Sequence, residues 1–171
     1  MSAANLASFL PALGRVQLLV LDVDGVLTDG RLYYGARGES LKVFNVKDGH
    51  GIKQVAAAGV TVAIISGRKS AIVSRRAREL GIRHVAQGVS DKLAALEKLA
   101  RSRSIALEHT ACVGDDTPDA PMLQAAGLAI AVADAHADAM SVADLVTTRP
   151  GGQGAVREVC DWLIDARRRR A

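Results

Sequence analysis

The stretch Leu18-Leu-Val-Leu-Asp22-Val-Asp24-Gly25 decides the reading of this chain. Four apolar residues in unbroken succession fit a strand buried on both faces, because a strand with one wet face alternates polar and apolar side chains. The run ends on Asp22, with a second carboxylate at Asp24 and a glycine at 25. Side chains at i and i+2 of an extended chain share one side, and Gly25 permits a turn that swings the second carboxylate beside the first.

Working outward, strand-like apolar runs recur at Val60 to Ile65, at His84 and Val85, at Thr110 to Val113 and at Leu128 to Val132. Helical patterns lie between them at Gly51 to Ala58, Ala71 to Leu80, Lys92 to Arg101 and Pro118 to Ala125. This alternation predicts an α/β fold, a Rossmann-like doubly wound parallel sheet with right-handed crossovers. Such sheets bind ligands beyond the carboxyl ends of their strands. The residues there are Asp22 and Asp24, then Ser66-Gly67-Arg68, then Gly114-Asp115-Asp116, with Ser90-Asp91-Lys92 opening the helix after the third strand. One segment breaks the alternation. Between Gly30 and Val46, two strand-like runs flank Gly35-Ala-Arg-Gly38, which predicts a β-hairpin flap that must lean on the body or on another subunit.

With 171 residues, the chain reads as one domain spanning 1–171, with a tail over about 148–171. Its net charge of +4 equals the Arg167 to Arg170 run, because the rest carries 18 basic against 18 acidic residues once those four are taken from 22. A charge-balanced body with 3% aromatics argues against nucleic-acid binding, and the Arg run reads as a solvated, disordered end. No apolar stretch approaches the ~20 residues of a membrane span, and the N-terminus lacks a signal-peptide pattern, so a cytoplasmic location without membrane partners is expected. Cys112 and Cys160 read as buried hydrophobes, not as a disulfide or a metal pair. His50, His84, His109 and His136 show no paired ligand spacing and read as packing, capping or surface residues. Tyr33 and Tyr34 read as flap packing.

The clustered residue types suit phosphoryl transfer. Asp22 can attack phosphorus as a carboxylate while Asp24 serves as proton donor and then acceptor. Carboxylates this close repel without a cation, and Asp115 adds a hard oxygen ligand suited to Mg²⁺. Ser66 and the backbone at Gly67 can cradle phosphate oxygens, and Lys92 can balance the charge of the transferring group. Singly, each piece has an ordinary structural explanation: Asp-Gly as a turn, Ser90 as an N-cap, Gly-Asp-Asp-Thr-Pro as a helix entry. In order, each beyond a strand, they are not ordinary together.

Taken as a set, Asp22-Val-Asp24-Gly-Val-Leu-Thr28-Asp-Gly, Ile65-Ser66-Gly67-Arg68, Ser90-Asp-Lys92 and Gly114-Asp115-Asp116 resemble the four motifs of the haloacid dehalogenase superfamily of phosphohydrolases, over nearly the whole chain. The phrases Lys47-Asp-Gly-His-Gly-Ile, Ala86-Gln-Gly-Val-Ser-Asp-Lys, Val132-Ala-Asp-Ala-His and Gly151-Gly-Gln-Gly-Ala-Val-Arg-Glu-Val-Cys are similar to a capless branch acting on the phosphate of an acidic eight-carbon sugar. The resemblance implies an aspartyl-phosphate on Asp22, acid–base work by Asp24, and Mg²⁺ held by Asp22, Asp24 through its backbone carbonyl, and Asp115, with Asp116 a weaker candidate. Ser66 and Lys92 would hold the phosphoryl group, and Arg68, Thr28 and Gly67 would meet the substrate, Arg68 gripping the sugar's carboxylate. It further implies a homotetramer whose flaps meet. By resemblance the Gly151 to Gly154 stretch lies in a mobile tail over a neighbouring active site; by composition it is a flexible linker into a helix around Val156 to Ile164. His50 and the Thr117-Pro-Asp119-Ala-Pro121 run depart from the family pattern, neither touching the expected core chemistry. A nonulosonate 9-phosphate phosphatase and a non-catalytic oligomerisation domain are the alternatives; a nucleic-acid 3′-phosphatase is disfavoured by the charge balance.

Overall fold

The continuous apolar runs become the centre of a six-stranded parallel sheet. The structure, a computed structural model, describes residues 3–170. The sheet strands are β1 (Leu18–Leu21), β4 (Thr61–Ser66), β5 (His84–Gln87), β6 (Thr110–Gly114), β7 (Leu128–Ala131) and β8 (Leu145–Val146), in the order β5-β4-β1-β6-β7-β8. β1 is hydrogen-bonded to β4 on one side and β6 on the other, so the strand order reverses beside Asp22. That is the topological switch point at which such sheets open a crevice.

Alternate residues of each strand feed two different cores, which is why the runs are unbroken. Leu19 and Leu21, Val62 and Ile64, and Ala111 and Val113 pack on one side with α2 (Val46–Ala57), α3 (Ala71–Leu80) and α7 (Ala155–Arg170). Leu18 and Val20, Ala63 and Ile65, and Cys112 pack on the other with α4 (Lys92–Ser102), α5 (Ala120–Ala125) and α6 (Ala137–Ser141). Cys112 and Cys160 thus lie in different layers, both free and buried. The first helix, α1 (Ala3–Leu13), and the two-residue β8 carry too little periodicity to have been expected.

Three local expectations are corrected. Helix α2 starts at Val46, five residues before Gly51, although Gly49 and Gly51 disfavour a helix interior. Packing explains them: a Cβ at 49 would lie 2.4 Å from Arg76 Nη2, and one at 51 would lie 2.9 Å from Arg157 Cδ. The N-cap of α4 is Asp91, which accepts from the Ala94 N–H at 2.9 Å, and not Ser90. The Arg run is not a disordered end, although Arg168 to Arg170 are solvent-exposed as expected. Helix α7 continues through Arg170; Arg167 donates to the carbonyls of Val16 at 2.6 Å and Ala58 at 3.2 Å, and Arg170 to Gly14 at 3.2 Å. Those carbonyls follow the C-termini of α1 and α2, where helices leave acceptors unpaired and favour cations.

The flap forms as β2 (Tyr33–Gly35) and β3 (Gly38–Leu41), antiparallel and shorter than the sequence suggested, with a register irregularity at Tyr33/Tyr34. Leu32, Tyr34, Leu41, Val43 and Val46 are exposed on it or beside it. Among the described residues, no helix is long and apolar enough to cross a membrane.

Candidate active site

The carboxyl ends of β1 and β6 deliver the acidic residues. Asp22 continues the ladder past β1, its N–H donating to the Val113 carbonyl at 3.1 Å. The chain then turns through Gly25, whose φ of +90° is a left-handed conformation that favours glycine. A Cβ there would lie 1.9 Å from Asp115 Oδ2, so Gly25 also makes room for the carboxylate of the neighbouring strand. Asp22, Asp115 and Asp119 bring one carboxylate oxygen each within 4.8 Å of one another.

Lys92, from the first turn of α4, enters this cluster 3.0 Å from Asp22 Oδ1 and 2.5 Å from Asp119 Oδ1. One ammonium cannot neutralise three carboxylates, and the proton affinities show it. Burial, with Asp119 nearby, pushes Asp22 up to about 6, and burial plus the charges of Asp22 and Asp119 pushes Asp115 up to about 8. Burial alone would lower Lys92, but Asp22 and Asp119 more than offset it and raise it.

Asp119 is the residue that the sequence reading missed, since the Thr117 to Pro121 run was expected to stay clear of the chemistry. It is 1% exposed, anchors Lys92, and accepts the backbone N–H of Asp115 at 3.0 Å and of Asp116 at 3.3 Å through Oδ2. Its spacing from Asp115, four residues on and just inside a helix entry, was the available signal. Both of its oxygens are committed, whereas Asp115 Oδ1 is buried without a hydrogen bond, and Asp22 Oδ1 has the Lys92 ammonium nearby but no aligned one. The unpartnered, buried Asp115 Oδ1 fits a hard divalent cation, with an oxygen of Asp22 within 4.8 Å, so Asp22 and Asp115 suit Mg²⁺ and Asp119 holds the frame around them. Asp116 is exposed and its side chain caps the Thr117–Asp119 turn, accepting from Thr117 N–H at 2.7 Å.

On the flap side, Asp24 points away from this cluster. Its Oδ1 meets Lys42 Nζ in a short contact, and its Oδ2 lies 3.5 Å from Arg68 Nε. Lys42, another residue not anticipated, comes from just past β3 and its side chain is 1% exposed. Ser66 is the buried last residue of β4, followed by exposed Gly67, and Ser70 caps α3 by accepting from Val73 N–H. Tyr34, expected to pack within the flap, is exposed and its hydroxyl accepts from Arg68 at 3.0 Å. Thr28, expected on the substrate side, is buried and turned inward. Its hydroxyl donates to Val23 O at 3.4 Å and accepts from Gly25 N–H at 3.4 Å and Gly30 N–H at 3.3 Å, which makes it a strut of the turn bearing Asp24.

The glycine stretch near the C-terminus is not a flexible linker; it docks on its own active-site turn. Gly152 N–H donates to Val26 O at 2.9 Å, Gly151 N–H to Asp134 Oδ1 at 2.9 Å, and Asn45 Nδ2 to Gly152 O at 3.3 Å. The approach is so close that a Cβ at 151 would sit 1.7 Å from Gly25 O. Asp48 fastens the same segment, accepting Arg157 N–H at 2.7 Å in the first turn of α7. His136 proves to be a cap, its Nδ1 accepting from Asp138 N–H at 3.2 Å.

An aspartate pair at the switch point of a doubly wound sheet, with a lysine and a further aspartate from other strand ends, defines a phosphohydrolase-type site. The sequence pattern of the haloacid dehalogenase-like hydrolases matches residues 82–158. The 3-deoxy-D-manno-octulosonate 8-phosphate phosphatase KdsC of Escherichia coli K12 is 52% identical over 149 residues, 87% of this chain and 79% of that protein. The crystal structure of the enzyme of that name from Moraxella catarrhalis, in complex with magnesium, phosphate and KDO, superposes with a TM-score of 0.92 at 42% identity, covering 94% of this chain and 92% of that one. A cobalt-bound octulosonate 8-phosphate phosphatase from Haemophilus influenzae gives 0.89 at 42% identity, covering 91% of each chain. The chain belongs to the haloacid dehalogenase-like hydrolases, in the family of the 3-deoxy-D-manno-octulosonate 8-phosphate phosphatases.

Proposed function

We propose that this chain is a Mg²⁺-dependent phosphomonoesterase that hydrolyses 3-deoxy-D-manno-octulosonate 8-phosphate to the free sugar acid and phosphate, a cytoplasmic step toward the lipopolysaccharide inner core. The observation that carries the reading is the buried Asp22–Lys92–Asp119 chain beside Asp115, at the sheet position where ligands bind, with carboxylate oxygens left for a cation. The likeness to phosphatases of that substrate supplies the sugar.

In this reading Asp22 attacks the phosphorus through one carboxylate oxygen, and the bond from phosphorus to the sugar oxygen breaks. Asp24 gives that oxygen its proton, so the alcohol leaves neutral and Asp22 carries the phosphoryl group. Asp24 then takes a proton from water as the water oxygen attacks phosphorus; the Asp22–phosphorus bond breaks and phosphate departs. Lys92, held by Asp119, keeps a fixed positive charge against the transferring group throughout, while Ser66 and the Gly67 backbone line its other side. Mg²⁺, held by Asp22, Asp115 and the Asp24 backbone carbonyl, would neutralise phosphate and carboxylate charge. Arg68 lies at the rim to meet the sugar's carboxylate. The whole chain works as one catalytic unit with the hairpin as its flap and no cap domain, and copies of it pair their exposed flaps in a homotetramer.

The test is phosphate release from 3-deoxy-D-manno-octulosonate 8-phosphate, with Mg²⁺ and with chelator, beside a nonulosonate 9-phosphate and hexose phosphates. Chelator-sensitive preference for the octulosonate ester is expected; equal or greater activity on another ester refutes the substrate. Asp22→Asn is expected to show no turnover above background with an unchanged circular dichroism spectrum, since the amide is nearly isosteric but a poor nucleophile. Turnover by that variant refutes the covalent route.

A further inference from the structure

Glu39 is a flap carboxylate lodged among cations at the rim of the site. Its Oε1 lies 3.1 Å from Lys42 Nζ and 3.7 Å from Arg68 Nη2, and its other oxygen accepts the Ser70 hydroxyl in a short hydrogen bond. The same two cations face Asp24, so Asp24, Lys42, Glu39 and Arg68 close a ring of two negative and two positive charges. Arg68, with a side chain 40% exposed, is the open side of that ring, and Lys42 is its buried side.

A phosphate ester whose bridging oxygen reaches Asp24 must lay its sugar against this ring. A sugar without charge meets a balanced set and gains nothing from the cations. A sugar acid brings a third carboxylate to two cations, and like charges cannot share them without cost. One carboxylate must then leave. Asp24 has to stay to move the proton, whereas Glu39, on β3 of the flap, has no part in the bond-breaking steps and is the carboxylate free to yield. We propose that Glu39 occupies the seat of the substrate's carboxylate, and that Lys42 and Arg68 exchange Glu39 for that group on binding, so that Glu39 and Lys42 set the preference for acidic over uncharged phosphate esters. This rests on the sugar-acid reading above. Before substrate arrives Glu39 prevents the two cations from trapping free anions, and on release it retakes the seat.

The experiment compares the KM of the octulosonate ester with that of glucose 6-phosphate in the parent enzyme, in Glu39→Gln and in Lys42→Gln, all with Mg²⁺. Glu39→Gln removes the competing charge, so the KM of the acidic ester falls by up to about fivefold relative to the uncharged one, the scale of an exposed ion pair. Lys42→Gln removes half the seat and moves the same ratio the other way. An acid-to-neutral KM ratio that is unmoved or raised in Glu39→Gln overturns the exchange. Glu39→Ala, which also removes the charge, gives the same reading if the Gln variant is poorly folded. If the parent ignores the octulosonate ester, the substrate assignment fails, but the ratio between 6-phosphogluconate and glucose 6-phosphate still reads the exchange. A parent that hydrolyses only uncharged esters overturns both.

Discussion

Gly151→Ala is the substitution that best separates placement of the catalytic turn from stability of the fold. The added Cβ would stand 1.7 Å from the Gly25 carbonyl oxygen, where real Cβ contacts do not fall below 3.0 Å. The two backbones must therefore part by about 1.3 Å, and Gly151 is held on its other side by Asp134 and Gly152 by Asn45. The expected outcome is that the Gly25 turn shifts, carrying Asp24 with it and stretching the Gly152 N–H to Val26 O bond from 2.9 Å. A displacement near 1 Å of a reacting group costs on the order of 10²-fold in rate, and overpacking costs about 1–3 kcal/mol of stability. Phosphate release at saturating substrate is expected to fall about a hundredfold, with a Tm lower by a few degrees. Gly59→Ala is the control: its φ of +86° makes alanine strained, nothing lies within 4 Å, and it closes α2 away from the site. That variant should lose stability by about 1 kcal/mol and keep its rate. A Gly151→Ala enzyme within threefold of the parent in kcat would refute the idea that the C-terminal glycines brace the catalytic turn.

Lys92→Met leaves Asp119 buried without its partner, so the metal-free protein should lose about 3 kcal/mol or roughly 6–12 °C in Tm, besides losing turnover; an unchanged Tm would refute the idea that the buried Lys92–Asp119 pair holds the site together. The folded pKa values of Asp22 and Asp115, about 6 and about 8, lie above the ordinary carboxylate value of 3.8, so the metal-free folded state binds more protons than the unfolded one. Their stability contribution is present at low pH and lost as pH rises from about 4 to about 8, so the Tm gained on adding Mg²⁺ should be larger at pH 8 than at pH 5. A gain independent of pH in differential scanning calorimetry would contradict this. Arg167→Ala removes caps on Val16 and Ala58 and should cost about 1 kcal/mol in urea unfolding without changing kcat; no change in stability would restore the reading of the Arg run as a free end.

What the sequence determined by itself was whatever depends on neighbours along the chain. Unbroken apolar runs at Leu18 to Leu21 and Thr110 to Val113 specify strands covered on both faces, and the residues that follow them land at one sheet edge by topology alone. The placement of Asp22, Ser66, Lys92 and Asp115 near that edge was legible for that reason. Other features depend on which distant atoms meet, and only the tertiary structure decided them. Asp119 looked like part of a helix entry until α5 and α4 brought it against Lys92. The helical pattern was read only from Gly51, whereas α2 begins at Val46, with glycines at 49 and 51 where a Cβ would meet Arg76, Arg157 and Cys160. Thr28 lies in a substrate-facing phrase, yet the turn folds its hydroxyl inward to satisfy two backbone N–H groups. The Arg run looked like a free, disordered end because the carbonyls that Arg167 and Arg170 cap belong to residues more than 100 positions earlier in the chain. Periodicity reports burial within an element, whereas unpaired helix ends, close backbone approaches and buried charges find their partners across the fold, and a linear pattern holds no record of those meetings.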